Sequence, residues 1–254
     1  MKVIKYLVLP ILVLSGLVFL GYSILDEPLP EGIPAKEADE LAEKMLESIA
    51  DSSWQNTGVV QWEFARGSKI HQHIWDRERN LAEVRFDNNV VQIDISNRTG
   101  TVLNNADHLS YLQKAELCEK AWQIWANDSF WLNPVSKVFD PGTSRKIINE
   151  NKVIPDLLIT YKSGGVTPGD SYLWQLDEKY RPIAWKIWAS ILPVGGMRFS
   201  WEQWTKLETG AFISTFHSGI VDIYINNVRG KSTLGELTGG IDVFTPLKDD
   251  PVQF

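Results

Sequence analysis

Hydrophobic and polar positions follow three regimes along the 254 residues. Residues 6–25 carry no charge and include Leu7, Val8, Leu9, Ile11, Leu12, Val13, Leu14, Leu17, Val18, Phe19 and Leu20. That run is about as long as a helix needs to cross a hydrocarbon core of roughly 30 Å. Over residues 36–50 the apolar positions Ala38, Leu41, Ala42, Met45 and Ile49 fall three or four apart, which predicts an amphipathic helix. From Val59 the period drops to two, with Val60, Trp62 and Phe64 alternating with Gln61 and Glu63. Turn residues at 66–68, 76–80, 87–89 and 97–100 then separate short strands at 59–65, 70–75, 81–86, 90–95 and 101–103. Helical spacing returns at 107–126 through Leu109, Leu112, Leu117, Cys118, Ala121, Trp122 and Trp125. After an irregular stretch at 127–143, strands are predicted at 145–148, 156–161, 171–177, 182–189, 197–204, 212–217 and 220–228.

The order is helix, a run of strands, helix, a second run of strands, with no β-α-β alternation. A mainly β (α+β) fold follows: a curled antiparallel sheet or half-open β-barrel with two covering helices, preceded by an N-terminal transmembrane helix. The predicted organisation is an anchor or signal segment at 1–25 and a linker at 26–35, followed by the β half-barrel domain at 36–229. The linker holds Pro28, Pro30 and Pro34, which favour extended backbone. The tail at 230–254, polar and glycine-containing apart from Val243 and Phe244, is expected to be loosely ordered.

Charge refines this picture. Lys2 and Lys5 precede the apolar run and Asp26 and Glu27 follow it, which predicts a cytoplasmic N-terminus and a translocated domain. The expected location is the inner membrane, single-pass, with the soluble domain in the periplasm; secretion into the periplasm after cleavage near Gly21 and Ser23 is the alternative. Net charge is -7, and the excess of acid sits on the soluble part, which argues against nucleic acid as a partner. Cys118 is the one cysteine, so no disulfide forms within the chain and a CxxC metal site is excluded.

Candidate chemistry centres on tryptophan, present eleven times. Alternation puts Tyr172, Trp174 and Leu176, then Ile183, Trp185 and Ile187, then Met197, Phe199 and Trp201 on one continuous apolar face, read as core. Trp75, Trp188 and Trp204 fall on opposite, more polar faces, beside His73, Lys186 and Glu202. With Trp122 and Trp125 of the second helix they are the candidate ligand-binding residues, because an indole joins apolar area to a polar tip. His71 and His73 share one side of a strand, a spacing open to a metal, with His217 or Glu83 as third ligand. A His-x-His followed by a Glu also begins a cupin metal site, but the matching Glu78 lies in a turn and the cupin glycine pattern is missing. Asp140 and Asp170 sit in Pro/Gly loops, where turn geometry selects aspartate, and would do acid and base work only if they met. No motif requires a cofactor.

Residues 127–132 (Asn-Asp-Ser-Phe-Trp-Leu), 139–143 (Phe-Asp-Pro-Gly-Thr) and 163–174 resemble segments of an uncharacterised exported protein family of Bacteroidetes-type bacteria, a likeness covering residues 36–228 that brings no activity. The order of elements is similar to the LolA/LppX-like lipoprotein-carrier fold, which implies acyl chains or lipidated cargo in a cavity under the helices. A permanent anchor departs from such soluble carriers. The expected function is a membrane-anchored periplasmic domain binding a lipid or other hydrophobic ligand. The alternatives are a structural or interaction subunit of a cell-envelope complex with protein partners, and a metal-dependent or hydrolytic enzyme.

Overall fold

The computed structural model describes residues 25–163, 168–248 and 251–254. The expected membrane segment at 6–25 lies outside them except for Leu25, and no helix among the described residues is long and apolar enough to cross a membrane. Helix α1 (Lys36–Ser48) buries Ala38, Leu41, Ala42 and Met45, the predicted stripe. It stops where Ala50 enters the left-handed region at φ 54°, and the short α2 (Asp51–Gln55) follows, burying Trp54.

Strands β1 (Val59–Arg66), β2 (Lys69–Asp76), β3 (Leu81–Phe86), β4 (Asn89–Asp94) and β5 (Thr99–Val102) form the expected antiparallel meander. Gly67, Asn80, Asp87 and Arg98 supply positive φ at its tight turns. Strands β6 (Thr143–Ile148), β7 (Asp156–Tyr161), β8 (Ser171–Leu176), β9 (Pro182–Trp188) and β10 (Met197–Ser200) form a separate five-stranded sheet in the order β10-β9-β8-β7-β6. The chain then crosses through Trp201 into β11 (Glu202–Lys206), β12 (Phe212–His217) and β13 (Ile223–Lys231), which returns to pair with β1.

The expected single curled sheet or half-barrel is thus two antiparallel sheets, one of nine strands and one of five, and no closed barrel. The reason lies at Trp201. Ser200 N–H donates to Ser218, Trp201 N–H donates to Ile183, and Gln203 takes a positive φ of 53°. The one strand expected at 197–204 is therefore bent into two, each edging a different sheet. A bulge between β8 and β9 turns Ile183 outward, off the apolar face expected for it.

Helix α3 (Tyr111–Leu132) opens with a capping box between Ser110 and Gln113. Its Cys118 and Ala121 pack on Ala82, Val84, Val91, Ile93 and Val102 of the large sheet. Gly100 permits the close approach, since a Cβ there would lie 2.8 Å from the Cys118 sulfur. The helix runs six residues past its expected end at 126, and its last turn carries Phe130, Trp131 and Leu132 into the core between the sheets. Packing overrides the breaker character of Asn127-Asp128-Ser129, because Asp128 and Ser129 are themselves buried.

Both flanks are bound to the domain. Glu27 N–H donates to Gly195, Gly195 N–H donates to Asp26, and Ile33 exchanges backbone hydrogen bonds with Ile147. The stretch expected as a linker therefore runs from the β9–β10 loop, which holds Asp26 and Glu27, to the edge strand β6, where Ile33 pairs. The tail, expected to be loosely ordered, forms the short helix α4 (Leu234–Thr238) and strand β14 (Val252–Gln253) beside β5. Phe244, Leu247 and Val252 are its buried anchors, too far apart to show as a periodic pattern.

Candidate functional site

The predicted aromatic face is the heart of the core. Register pairs Trp174 with Trp185 and Trp185 with Phe199, stacking them across three strands of the small sheet. Trp185 is the hub: its ring centroid lies 4.8 Å from Trp174, 4.9 Å from Trp201, 4.7 Å from Tyr172 and 4.9 Å from Trp131. Trp131 also meets Phe199 and His217, and Phe130 meets Tyr161 and Tyr172. The last turn of α3 thus fills the space between the sheets. Trp131 and Phe130 are only partly buried, with one side on the core and the other toward solvent.

Several indole nitrogens of the core have no partner among the described residues. The indole N–H groups of Trp62, Trp75, Trp125, Trp174, Trp185 and Trp201 are buried without a hydrogen-bond acceptor among the described residues. Three of them, Trp174, Trp185 and Trp201, touch one another in the small sheet's layer, while Trp75 pairs with Trp125 and Trp62 stacks on His73; native cores pair the large majority of such groups.

Behind this layer, β2 and α3 build a polar cluster. His71 and His73 project from the same face of β2, as the spacing predicted, and Asp128 enters from α3. Its Oδ2 lies 2.7 Å from His71 Nδ1 and 2.8 Å from His73 Nε2, while Asn127 donates to its Oδ1 at 2.9 Å. His73 stacks on Trp62 with ring centroids 4.3 Å apart, and His71 on Phe64. Burial pushes the His73 imidazole below its ordinary range against the pull of Asp128. Burial also works to raise the Asp128 carboxyl, but the two imidazole hydrogen bonds overcome it and the group lies below its usual value.

The third member expected for this set was His217 or Glu83, and neither is there. Glu83 lies on the opposite face of β3, bound to Arg85 and Gln92, and Glu78 is exposed in its turn. His217 is buried against Trp201, its Nδ1–H donating to Ser200 O at 3.1 Å, a tautomer fixed by that carbonyl.

Of the five candidate tryptophans, three join the core, at two different points. Trp75 packs edge-on against Trp125 on the helix-covered face, correcting its expected place on the open, polar one, and Trp204 packs on Trp201. Trp188 lies on the far side of the small sheet, its indole N–H donating to Glu27 O at 2.7 Å. Trp122 lies under the Arg98 guanidinium. The contacts described for Asp140 and Asp170 lie in separate turns. Asp140 pairs with Lys137 at its own turn, and Asp170 accepts from Ser190 N–H in another, so the contacts seen among the described residues do not bring the two carboxylates together.

Burial holds the His217 imidazole down at about 4, against an ordinary value near 6.5. The unfolded chain therefore takes up a proton there before the folded one does. The contribution of His217 is intact above about pH 6.5 and is lost as pH falls through the folded value, costing about 3 kcal/mol in all. Urea unfolding at pH 7 and at pH 4.5 should show most of this loss in the wild type and a smaller one in His217→Gln.

Two antiparallel sheets packed about a helix define a mainly β, helix-filled sandwich. The sequence matches no protein-family profile and no curated protein. A DUF1329 family protein from Desulfovibrio piger is a distant structural neighbour, at 11% sequence identity and a TM-score of 0.38, over 78% of this chain and 94% of that one. So remote a likeness assigns no activity, and it leaves the resemblance to an exported Bacteroidetes-type family without support.

Proposed function

We propose that the domain is a membrane-held acceptor for a lipid or other amphiphile, taken into the aromatic space between the two sheets. The observation that carries this reading is the set of buried indole N–H groups without acceptors. A ligand with an apolar body and ester or carboxyl oxygens supplies what they lack, and aromatic walls suit its chains. The last turn of α3 is the gate. Phe130 and Trp131 occupy the volume the ligand takes, and their partial exposure puts them on the path in. Residues 6–25 serve as an inner-membrane anchor with the domain on the periplasmic side. The hold of the β9–β10 loop on Asp26 and Glu27 then keeps the domain close to the bilayer rather than on a loose tether.

Native mass spectrometry and lipid extraction of the full chain in mild detergent test this. A lipid-sized ligand retained after exchange into a second detergent is expected. Repeated recovery of ligand-free protein would sink the proposal.

A further inference from the structure

We infer that His71, His73 and Asp128 form a binding site for one divalent transition-metal ion, independent of the amphiphile reading. Three observations point there. First, one atom from each residue converges on a common point, all within 4.8 Å of one another, and the two imidazole planes stand 88° apart, so their nitrogens approach that point from different directions. Tetrahedral ligands at about 2.0–2.1 Å from a zinc ion lie roughly 3.3 Å apart. The two carboxylate–imidazole contacts of 2.7 and 2.8 Å therefore open by about 0.5–0.6 Å, while the two imidazole nitrogens, up to 4.8 Å apart, close by as much as about 1.5 Å around the ion.

Second, the buried carboxylate has no permanently charged partner. The Asp128 side chain is 1% exposed and its carboxylate has hydrogen bonds to two imidazoles and one amide, but no lysine or arginine pairs with it among the described residues. The only counter-charge within reach among those residues is a proton on one of the two imidazoles, which a divalent ion bound at this point displaces and replaces. Third, the donors are of the right kind and are held. Two imidazole nitrogens and one carboxylate oxygen suit zinc or ferrous iron and leave coordination positions open. Trp62 and Phe64 fix the ring planes and Asn127 orients the carboxylate. His71, 16% exposed at its side chain, is the solvent-facing member and gives the ion its way in.

The arrangement also sets the strength of the site. Ligation through His73 Nε2 puts that ring's proton on Nδ1, which is buried and has no protein partner. A ligating histidine normally donates its far N–H to an acceptor, and losing such a partner weakens affinity by about 10–100-fold. The site is therefore weaker than a fully supported zinc centre.

The test uses the untagged full chain in mild detergent, stripped with a chelator and titrated calorimetrically with Zn²⁺, with Co²⁺ absorption as a second readout. Saturation at about one ion per chain with a visible Co²⁺ spectrum is expected. Asp128→Asn and His71→Gln should each weaken binding more than about tenfold, whereas His217→Gln leaves it unchanged. Circular dichroism checks that each variant is folded. Should Asp128→Asn fail to fold, His71→Gln, on a partly exposed strand position, decides. Absence of saturable binding, or binding kept in a folded Asp128→Asn or in His71→Gln, overturns the inference.

Discussion

Replacing Trp185 by alanine is expected to destabilise the domain by about 4 kcal/mol and to lower its melting temperature by roughly 10 °C. Trp185 is fully buried at the centre of the small sheet's inner face, touching Trp174, Trp201, Trp131 and Tyr172 at once. Its neighbours are held by separate strands and by α3, so they cannot collapse together into the hole. Trp188, three residues on and on the opposite face, is the comparison. It is only partly buried and rests on Ile148, Leu158 and Leu173 beneath the N-terminal stretch, so Trp188→Ala should cost less than half as much. Equal losses in the two variants would show that the space between the sheets is not the principal core.

Gly58→Ala is expected to cost about 3 kcal/mol. A Cβ at Gly58 would lie 2.0 Å from the Ser232 carbonyl oxygen, a backbone atom with no rotamer to retreat into. Gly58 sits where β13 closes on β1, donating to Lys231 O and accepting from Arg77 N–H, so relief of the clash must break the central pairing of the large sheet. Gly235 in α4 is the control. The nearest atom to a Cβ there is 3.8 Å away, and alanine is the better helix former, so Gly235→Ala should be neutral or mildly stabilising. Urea midpoints for the two variants check this, and a midpoint unchanged in Gly58→Ala would contradict the close approach.

Most of the strands were legible because each of their faces meets one environment. β3, β7 and β12 span the predicted residues, and the alternation that placed Trp174, Trp185 and Phe199 on one face holds. Connections that depend on one backbone bond were not legible. The bend at Trp201 that divides the strands into two sheets, and the bulge that turns Ile183 outward, have no mark in the alternation of the sequence and show only in how the strands pair.

The site was half readable. His71 and His73 showed their shared face through spacing alone. Asp128 was hidden by reading Asn127-Asp128-Ser129 as the end of a helix. A signal was nevertheless present: Cys118, Ala121, Trp125, Asp128 and Leu132 continue at intervals of three and four, which places a carboxylate on the buried stripe of an unbroken helix. A charged residue on such a stripe needs a buried partner, and the histidine pair of β2 is that partner. The unpartnered indole nitrogens had no signal in the sequence, because they depend on which atoms surround each ring after packing.

The most direct test of the aromatic space as a ligand site is a titration of the full chain with a fluorescent acyl probe, followed through quenching of tryptophan emission and compared with Trp131→Ala. Saturable uptake at about one probe per chain is expected, tighter in Trp131→Ala because the gate residue no longer competes for the space. No saturable uptake by either protein, with both folded, would contradict it.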